Sequence, residues 1–277
     1  MKEKKYTPGK FVIEIMLILA AIIMLYPLVL TVFNSFKSFQ EVNLSLITLP
    51  TTFNLDNYRD AWKKMNYSKA FFNSLFTTVF AVAGLVFISS AAAWQLARRK
   101  DRVSKAIFST IIFSMIVPFQ VLMIPLAMVA KDLGLVNSLP GLVIMYWGFL
   151  LSLALFLYHG FIKTVPRELE ESAEIDGYGP FRVYLFIVLP LLKPITATVV
   201  ITNIINVFNG FMLPLIMISS KDKKTIPLAM SVFYGEYINE WNLIMAALVL
   251  SLIPTVSFFF VAQNKIMGGL VDGAVKG

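Results

Sequence analysis

Six long runs of this sequence contain no Asp, Glu, Lys or Arg, and these runs limit what the chain can fold into. They are 22, 28, 25, 30, 27 and 24 residues long and cover residues 15–36, 70–97, 106–130, 133–162, 194–220 and 241–264. A helix of about 20 residues crosses the roughly 30 Å hydrocarbon core of a bilayer. Membrane-barrel strands are shorter and alternate in polarity, which these runs do not. The sequence therefore predicts an all-α polytopic membrane protein with six transmembrane helices.

The composition supports a membrane protein and excludes several kinds of site. Apolar residues make up 58% of the chain, charged residues make up 14%, and the mean hydropathy is +0.76. There is no cysteine and only one histidine, His159, so thiolate and histidine-cluster metal sites are excluded. The sequence also lacks the phosphate-binding pattern G-x-x-x-x-G-K-[ST] and the usual hydrolase motifs. We therefore predict no catalytic residue, no metal site and no enzymatic activity in this chain.

Lysine and arginine residues predict the orientation. Four lysines lie within the first ten residues, and residues 98–105 carry five positive charges against one negative charge. Short basic connections favour the cytoplasmic side, and six spans place both termini there. The net charge of +8 is therefore read by us as a topology signal. A nucleic-acid partner is not predicted, because that role needs a soluble basic surface.

One charged segment, residues 163–182, interrupts the apolar sequence between the fourth and fifth spans. It places four glutamates and one aspartate between Glu168 and Asp176. Val165-Pro166 is typical of a helix start, and Gly177 is typical of a left-handed helix end, which predicts a helix over 167–176. Leu169, Ser172, Ala173 and Asp176 would share one face of it. That face suits docking in a groove of another protein, although a solvated helix–turn–helix explains the charges equally well.

The same segment resembles a known signature. Glu171-Ser-Ala-Glu-Ile-Asp176-Gly177, with Leu189-Pro190 downstream, is similar to the cytoplasmic "EAA" motif of binding-protein-dependent ABC-transporter permeases. Ser172 stands where that motif usually has its first alanine. Further segments resemble the carbohydrate-uptake branch, and the ending 273–277 resembles the second permease of a heteromeric pair. The segments are 53–58 (FNLDNY), 73–74 (NS), 118–120 (PFQ), 124–126 (IPL), 133–137 (LGLVN) and 209–214 (NGFMLP).

The resemblance implies a type I ABC importer permease in the bacterial inner membrane. Its implied partners are a second, different permease chain, two cytoplasmic ATPase subunits and an extracellular or periplasmic solute-binding protein. ATP and Mg would bind to the ATPase, and this chain would bind no cofactor. The implied organisation is an N-terminal tail, first helix and external loop over 1–68, a permease core over 69–266 and a tail over 267–277. The ATPase-coupling residues implied by the motif are Glu170, Glu171, Ser172, Ala173, Asp176 and Gly177.

The resemblance also implies a sugar or oligosaccharide as the transported solute. Sugars are bound by amides, hydroxyls and aromatic rings, so the candidates along the substrate pathway are polar or aromatic side chains inside the spans. They are Gln120, Trp147, Ser152, Asn203, Asn206 and Asn209. Amides in a span also serve helix–helix hydrogen bonding, which is the alternative role for each of them.

Other functions stay open from the sequence. A polyol or a glycerol phosphate could replace the sugar as the solute. A secondary carrier is disfavoured, because no Asp, Glu or Arg lies inside a predicted span and such carriers usually keep ionisable groups there. A membrane scaffold or channel subunit, whose charged helix binds an unrelated partner, is the third alternative.

Overall fold

The computed structural model describes residues 8–233 and 240–274, and side chains over 9–233 and 240–263. Within those ranges the secondary structure is helical, without strands. The chain divides into two compact units, which are described separately below. The first unit comprises Met1–Tyr67 and Met230–Pro254, and the second comprises Ser68–Ala229 and Thr255–Gly277.

The first unit begins with a long apolar helix, α1. It is followed by two short helices, and the unit also contains the N-terminal part of the last helix. Pro27 lies inside α1, and the side chains of α1 are exposed from Gly9 to Val29. The helices of this unit are α1 (Pro8–Ser35), α2 (Phe39–Leu44), α3 (Asp56–Lys64) and the start of α14 (Trp241–Ala274).

The second unit contains the remaining helices and the rest of α14. Its helices are α4 (Tyr67–Arg98), α5 (Arg102–Phe113), α6 (Phe119–Asp132), α7 (Leu139–Ile162), α8 (Glu168–Ile175), α9 (Pro180–Val183), α10 (Leu189–Leu191), α11 (Lys193–Phe208), α12 (Met212–Met217) and α13 (Ile226–Ala229). A π-helical turn, Tyr184–Val188, joins α9 to α10.

Four of the predicted spans are single helices: α1, α4, α7 and α14. The third and fifth are broken, and each is a pair of helices that can count as one bent span. The third pair, Arg102–Ile116 and Phe119–Asp132, bends by 114°, and the fifth pair, Pro180–Leu191 and Lys193–Phe208, bends by 77°. The third run breaks where Val117 is extended (φ −79°, ψ 120°) immediately before Pro118, as a residue preceding proline prefers.

The fifth apolar run, 194–220, also differs from a single helix. Helix α11 ends at Phe208, and the short helix α12 begins only at Met212. Gly210 lies in this break, and a Cβ atom placed there would lie 2.3 Å from the Tyr146 hydroxyl oxygen. The backbone at Gly210 therefore approaches α7 too closely for any larger residue.

A buried core joins one end of α4 and α7 to α8 and to the π-helical turn. Its members include Leu85, Ala93, Trp94, Leu155, Tyr158, Ile162, Ala173, Val183 and Tyr184. Ala173 is the contribution of α8, so this amphipathic charged helix is packed onto the apolar helices by its own small residue. The core thereby fixes the position of the charged segment relative to α4 and α7.

Candidate functional site

The charged segment folds as the sequence predicts. Helix α8 covers Glu168–Ile175, with Asp176 as its C-cap, so the predicted helix 167–176 is confirmed to within one residue at each end. Gly177 has φ +85°, which confirms its predicted left-handed conformation. The Gly177 N–H donates to the Glu174 carbonyl and the Tyr178 N–H donates to the Ala173 carbonyl, both at 3.0 Å. This pair of bonds is a Schellman motif, which ends a helix at a residue with positive φ.

One side of α8 is fixed by a buried ion pair. The Glu170 carboxylate accepts hydrogen bonds from Trp94 Nε1 at 2.9 Å and from Arg98 Nε and Nη2 at 2.9 and 2.7 Å. Arg98 Nη2 also donates to the Val165 carbonyl at 3.0 Å. A buried carboxylate is tolerated only when it is paired and hydrogen-bonded in this way. We call Trp94, Arg98 and Glu170 the anchor, because they attach α8 to the last turns of α4.

The anchor also contacts the π-helical turn. The ring of Trp94 stacks on the ring of Tyr184, with centroids 5.7 Å apart and an interplanar angle of 26°. The Tyr184 hydroxyl lies 2.7 Å from Ser90 Oγ, one helical turn before Trp94. The end of α4 therefore holds both the coupling segment and the start of the next span.

The opposite side of α8 and the turn after it are exposed. Ile175 is 87% exposed, and Leu169, Tyr178 and Phe181 are exposed as well. Four acidic residues stand among these apolar side chains: Glu168, Glu171, Glu174 and Asp176. We call this surface, formed by 168–169, 171–172, 174–176, 178 and 181, the α8 outer face. Apolar groups ringed by charge are typical of a protein-binding surface.

The predicted coupling residues divide between the two sides. Glu171, Ser172, Asp176 and Gly177 lie on the exposed side, whereas Glu170 and Ala173 are buried within this chain. The expectation that Leu169, Ser172, Ala173 and Asp176 share one docking face is therefore wrong for Ala173. Its methyl group is the only side chain there small enough to sit against the core, and it packs inward.

The exposed polar side chains of α8 make only local contacts. Glu171 pairs with Arg167 across one helical turn, with 3.1 Å between Oε1 and Nε. The Ser172 hydroxyl donates to the Glu168 carbonyl at 2.8 Å. Over the part of the chain that the structure describes, the Asp176 carboxylate makes no hydrogen bond or ion pair. The outer face thus has acidic groups that are available to another molecule.

Two residues of the anchor, Trp94 and Arg98, were not predicted from the sequence. Their signal was present: a tryptophan and an arginine four residues apart lie on one face at the end of an apolar run. Beside them, a cavity of about 310 Å³ opens between α4 and α8. Its lining carries both signs of charge, from Arg98, Arg99, Arg167, Glu170, Glu171 and Glu174.

The connection that follows α4 is also ordered. Asp101 caps α5, and its carboxylate accepts hydrogen bonds from the Ser104 N–H and the Ser104 hydroxyl, both at 2.8 Å. These bonds stabilise the charged form and lower the pKa of Asp101 from its ordinary value. The basic segment thus ends in a helix start with a stable negative cap.

Several pathway candidates use their polar atoms inside the chain. Ser152 is buried with its Oγ 2.7 Å from Ser114 Oγ, and buried Asn203 donates to the Val199 carbonyl at 2.8 Å. The Trp147 ring N–H donates to the carbonyls of Phe80 and Ala81 at 3.2 and 3.1 Å. The structure thus gives these three side chains roles in packing.

The other candidates are accessible. Gln120, Asn206 and Asn209 are exposed in the chain. Asn209 contacts Thr255, whose Oγ1 lies 3.2 Å from Asn209 Oδ1, and its amide donates to the Ile205 carbonyl at 3.1 Å. Asn206 and Asn209 follow each other along the end of α11, whereas Gln120 lies at the start of α6. The amides at the end of α11 are therefore the nearest approach to a polar cluster among the candidates.

Residues 84–266 match the family model of the binding-protein-dependent transport system inner membrane component. This match covers most of the chain, from the middle of α4 to α14, and includes α8. The chain belongs to this family. It is accordingly a multi-pass inner-membrane permease subunit of the ABC importer type.

Curated relatives extend the similarity beyond the family match. The chain is 38% identical over 274 residues to the probable starch degradation products transport system permease protein AmyC of Thermoanaerobacterium thermosulfurigenes, covering 99% of each. It is 35% identical to the multiple sugar-binding transport system permease protein MsmG of Streptococcus mutans, covering 95% of each. The melibiose/raffinose/stachyose import permease protein MelC of Bacillus subtilis is also 35% identical, with 82% of this chain and 83% of the relative covered.

A solved structure shares the fold. A chain in the crystal structure of a bacterial ABC transporter involved in the import of the acidic polysaccharide alginate matches with a TM-score of 0.80. The match covers 95% of this chain and 99% of the other, at 21% sequence identity. The predicted importer-permease fold is thereby confirmed.

Proposed function

We propose that this chain is the permease subunit of an ATP-driven importer of sugars or oligosaccharides, and that it forms half of the translocation pathway. The observation that carries the proposal is the α8 outer face, an exposed acidic and apolar surface held rigidly by a buried anchor. The names of the three relatives, which concern starch degradation products, multiple sugars and melibiose, raffinose or stachyose, support the solute class.

The outer face of α8 would seat on a separate ATPase subunit. Leu169, Ile175 and Phe181 supply exposed apolar area for a groove, and Glu171 and Asp176 supply carboxylates for charge-assisted hydrogen bonds. ATP-driven closure of two such ATPase subunits would push on α8. Because Glu170 is bonded to Trp94 and Arg98, that movement would pass directly into α4 and, through Tyr184, into the fifth span.

The remaining partners follow from the same proposal. A second, different permease chain would complete the pathway, and ATP and Mg would be bound by the ATPase. A solute-binding protein outside the cell or in the periplasm would meet segments 37–69 and 219–240, of which residues 234–239 lie outside the described part of the chain. Gln120, Asn206 and Asn209 are the pathway candidates whose amides are open to a solute.

Transport and ATP hydrolysis are expected only in the assembled system. The purified chain lacks a phosphate-binding loop, so it should neither hydrolyse ATP nor transport sugar by itself. Liposomes containing both permeases and the ATPase should take up labelled maltooligosaccharide or raffinose when the binding protein and ATP are present. Labelled polyol and glycerol phosphate are the comparison solutes. ATP turnover by the chain free of ATPase subunits would contradict the division of labour, and uptake of only a comparison solute would contradict the sugar.

The proposed orientation has both termini in the cytoplasm, with residues 98–105 inside and 219–225 outside. Because the chain contains no cysteine, single cysteines can be introduced without removing native ones. Lys221→Cys should react with a membrane-impermeant maleimide added to intact cells, whereas Arg102→Cys should react only after the membrane is opened. Both positions are exposed, so they form a matched pair. The reverse labelling pattern would overturn this topology.

A further inference from the structure

The loop that follows the first span has an unusual surface. Residues 44–55, which we call the apolar loop, contain no charged side chain. Leu44 is 86% exposed, Ile47 is 74% exposed and Phe53 is 73% exposed, and Leu46, Leu49 and Leu55 are also exposed. Large apolar side chains that are contiguous and exposed mark a surface that another phase or molecule covers.

The loop is held in place by its polar atoms. Asn34 Nδ2 donates to the Leu46 carbonyl at 2.8 Å, and Lys37 Nζ donates to the Ser45 carbonyl at 2.9 Å. The Asn54 N–H donates to the Phe36 carbonyl at 3.1 Å. The Thr51 N–H donates to Glu41 Oε1 at 3.2 Å, and the Thr51 hydroxyl donates to the same oxygen. The polar groups therefore bond inward while the apolar side chains project outward.

The hydrogen bonds also fix where the loop lies along the first span. Asn34 belongs to the last turn of α1, and Phe36 follows that helix directly. Residues 46 and 54 are bonded to these two residues, so the apolar loop lies at the level at which α1 ends. A span of α1's length ends in the interfacial layer of the bilayer. Lys37, whose ammonium is covered by the loop, lies at the same level.

We infer that the apolar loop inserts its side chains into the interfacial layer of the lipid bilayer, beside the end of α1. The lipid surface is favoured over a protein partner because the projecting groups are all aliphatic or aromatic. A protein interface usually carries about one hydrogen bond per 100–200 Å², and the loop uses its hydrogen-bonding groups on its own chain. The loop thereby acts as an interfacial anchor that fixes the height of the first unit in the membrane.

Spin labels on single cysteines test this inference. Ile47→Cys and Phe53→Cys place a nitroxide on the loop, and Lys63→Cys on the exposed part of α3 is the matched control in the same unit. All three positions are exposed, so the substitutions leave the packing unchanged. The full chain, assembled with its transporter subunits in phosphatidylglycerol–phosphatidylethanolamine liposomes, is measured by power saturation with oxygen and with a water-soluble nickel chelate.

Lipid insertion predicts a ratio of oxygen to nickel collisions severalfold higher at positions 47 and 53 than at position 63. Equal ratios at the three positions, with strong nickel collisions, would place the loop in water and overturn the inference. Low collision rates with both reagents at 47 and 53 would mean that a protein chain covers the loop, which also overturns it. Neither result depends on the transported solute.

Discussion

Glu170→Ala is expected to lower the free energy of unfolding of this chain by about 3 kcal/mol, since removing one partner of a buried ion pair leaves the other charge unpaired. The substitution leaves the Arg98 guanidinium and the Trp94 indole N–H without their shared carboxylate. Arg98 keeps its bond to the Val165 carbonyl, and its side chain is 17% exposed, which places the effect at the lower end for such pairs. Thermal unfolding of the purified chain in detergent measures the effect as a lower Tm.

Two other glutamates on the same helix are matched controls. Glu174 and Glu171 are exposed, and the ion pair of Glu171 with Arg167 contributes at most about 1 kcal/mol at such a position. Glu174→Ala and Glu171→Ala should therefore leave the Tm unchanged. Glu171→Ala should still reduce sugar uptake, because we propose that this carboxylate contacts the ATPase. A Tm for Glu170→Ala equal to that of Glu174→Ala would contradict the anchor.

The membrane class of this protein was predictable because it depends on a local property, the absence of charge over whole spans. The bend in the third span was not. Prolines also lie inside continuous helices, at Pro27, Pro125 and Pro254, whereas Pro118 begins a new helix after a break. Neighbouring helices and water can satisfy the carbonyl that a proline leaves free in a span. Which proline breaks a helix is therefore decided by packing that the sequence does not display.

The charged helix was predictable at its ends for the same local reason. Proline before the first turn and glycine after the last have conformational preferences that act within a few residues. The distinct role of Glu170 depends on partners 72 and 76 positions earlier in the chain. From the sequence, four similar glutamates are indistinguishable, and only the fold selects one for burial. The docking face was misassigned at Ala173 because helical spacing gives a face but does not tell which molecule covers it.

The pathway candidates show a further limit of the sequence. An amide or hydroxyl in a span can bind a solute or bond to a neighbouring helix, and both roles need the same residue type. Ser152 and Asn203 have partners within the chain, whereas Asn206 is exposed. Distances between helices separate these roles, and they are set by the packing of whole helices such as α4 and α7, where Trp147 lies over Gly84.

Gly177→Val is expected to abolish uptake while leaving the membrane spans folded. Gly177 has φ +85°, and a left-handed conformation costs a non-glycine residue about 1–2 kcal/mol, more when it is β-branched. A Cβ atom at Gly177 meets no other atom within 4 Å, so the cost comes from the backbone itself. Relief of that strain requires the Schellman motif to open, which changes the direction of the chain after α8. The outer face formed by α8, Tyr178 and Phe181 would then no longer fit the ATPase.

Gly179→Val is the matched control for this substitution. Gly179 also has open space around its Cβ position, but its backbone (φ −70°, ψ 163°) is one that valine adopts readily. At equal membrane expression, the ATPase should co-purify with Gly179→Val and be lost from Gly177→Val, and sugar uptake should follow the same order. Asp176→Ala, which keeps the backbone and removes only an exposed carboxylate, should weaken the association less than Gly177→Val. Full ATPase association and full uptake in both Gly177→Val and Asp176→Ala would mean that this segment does not couple the two subunits.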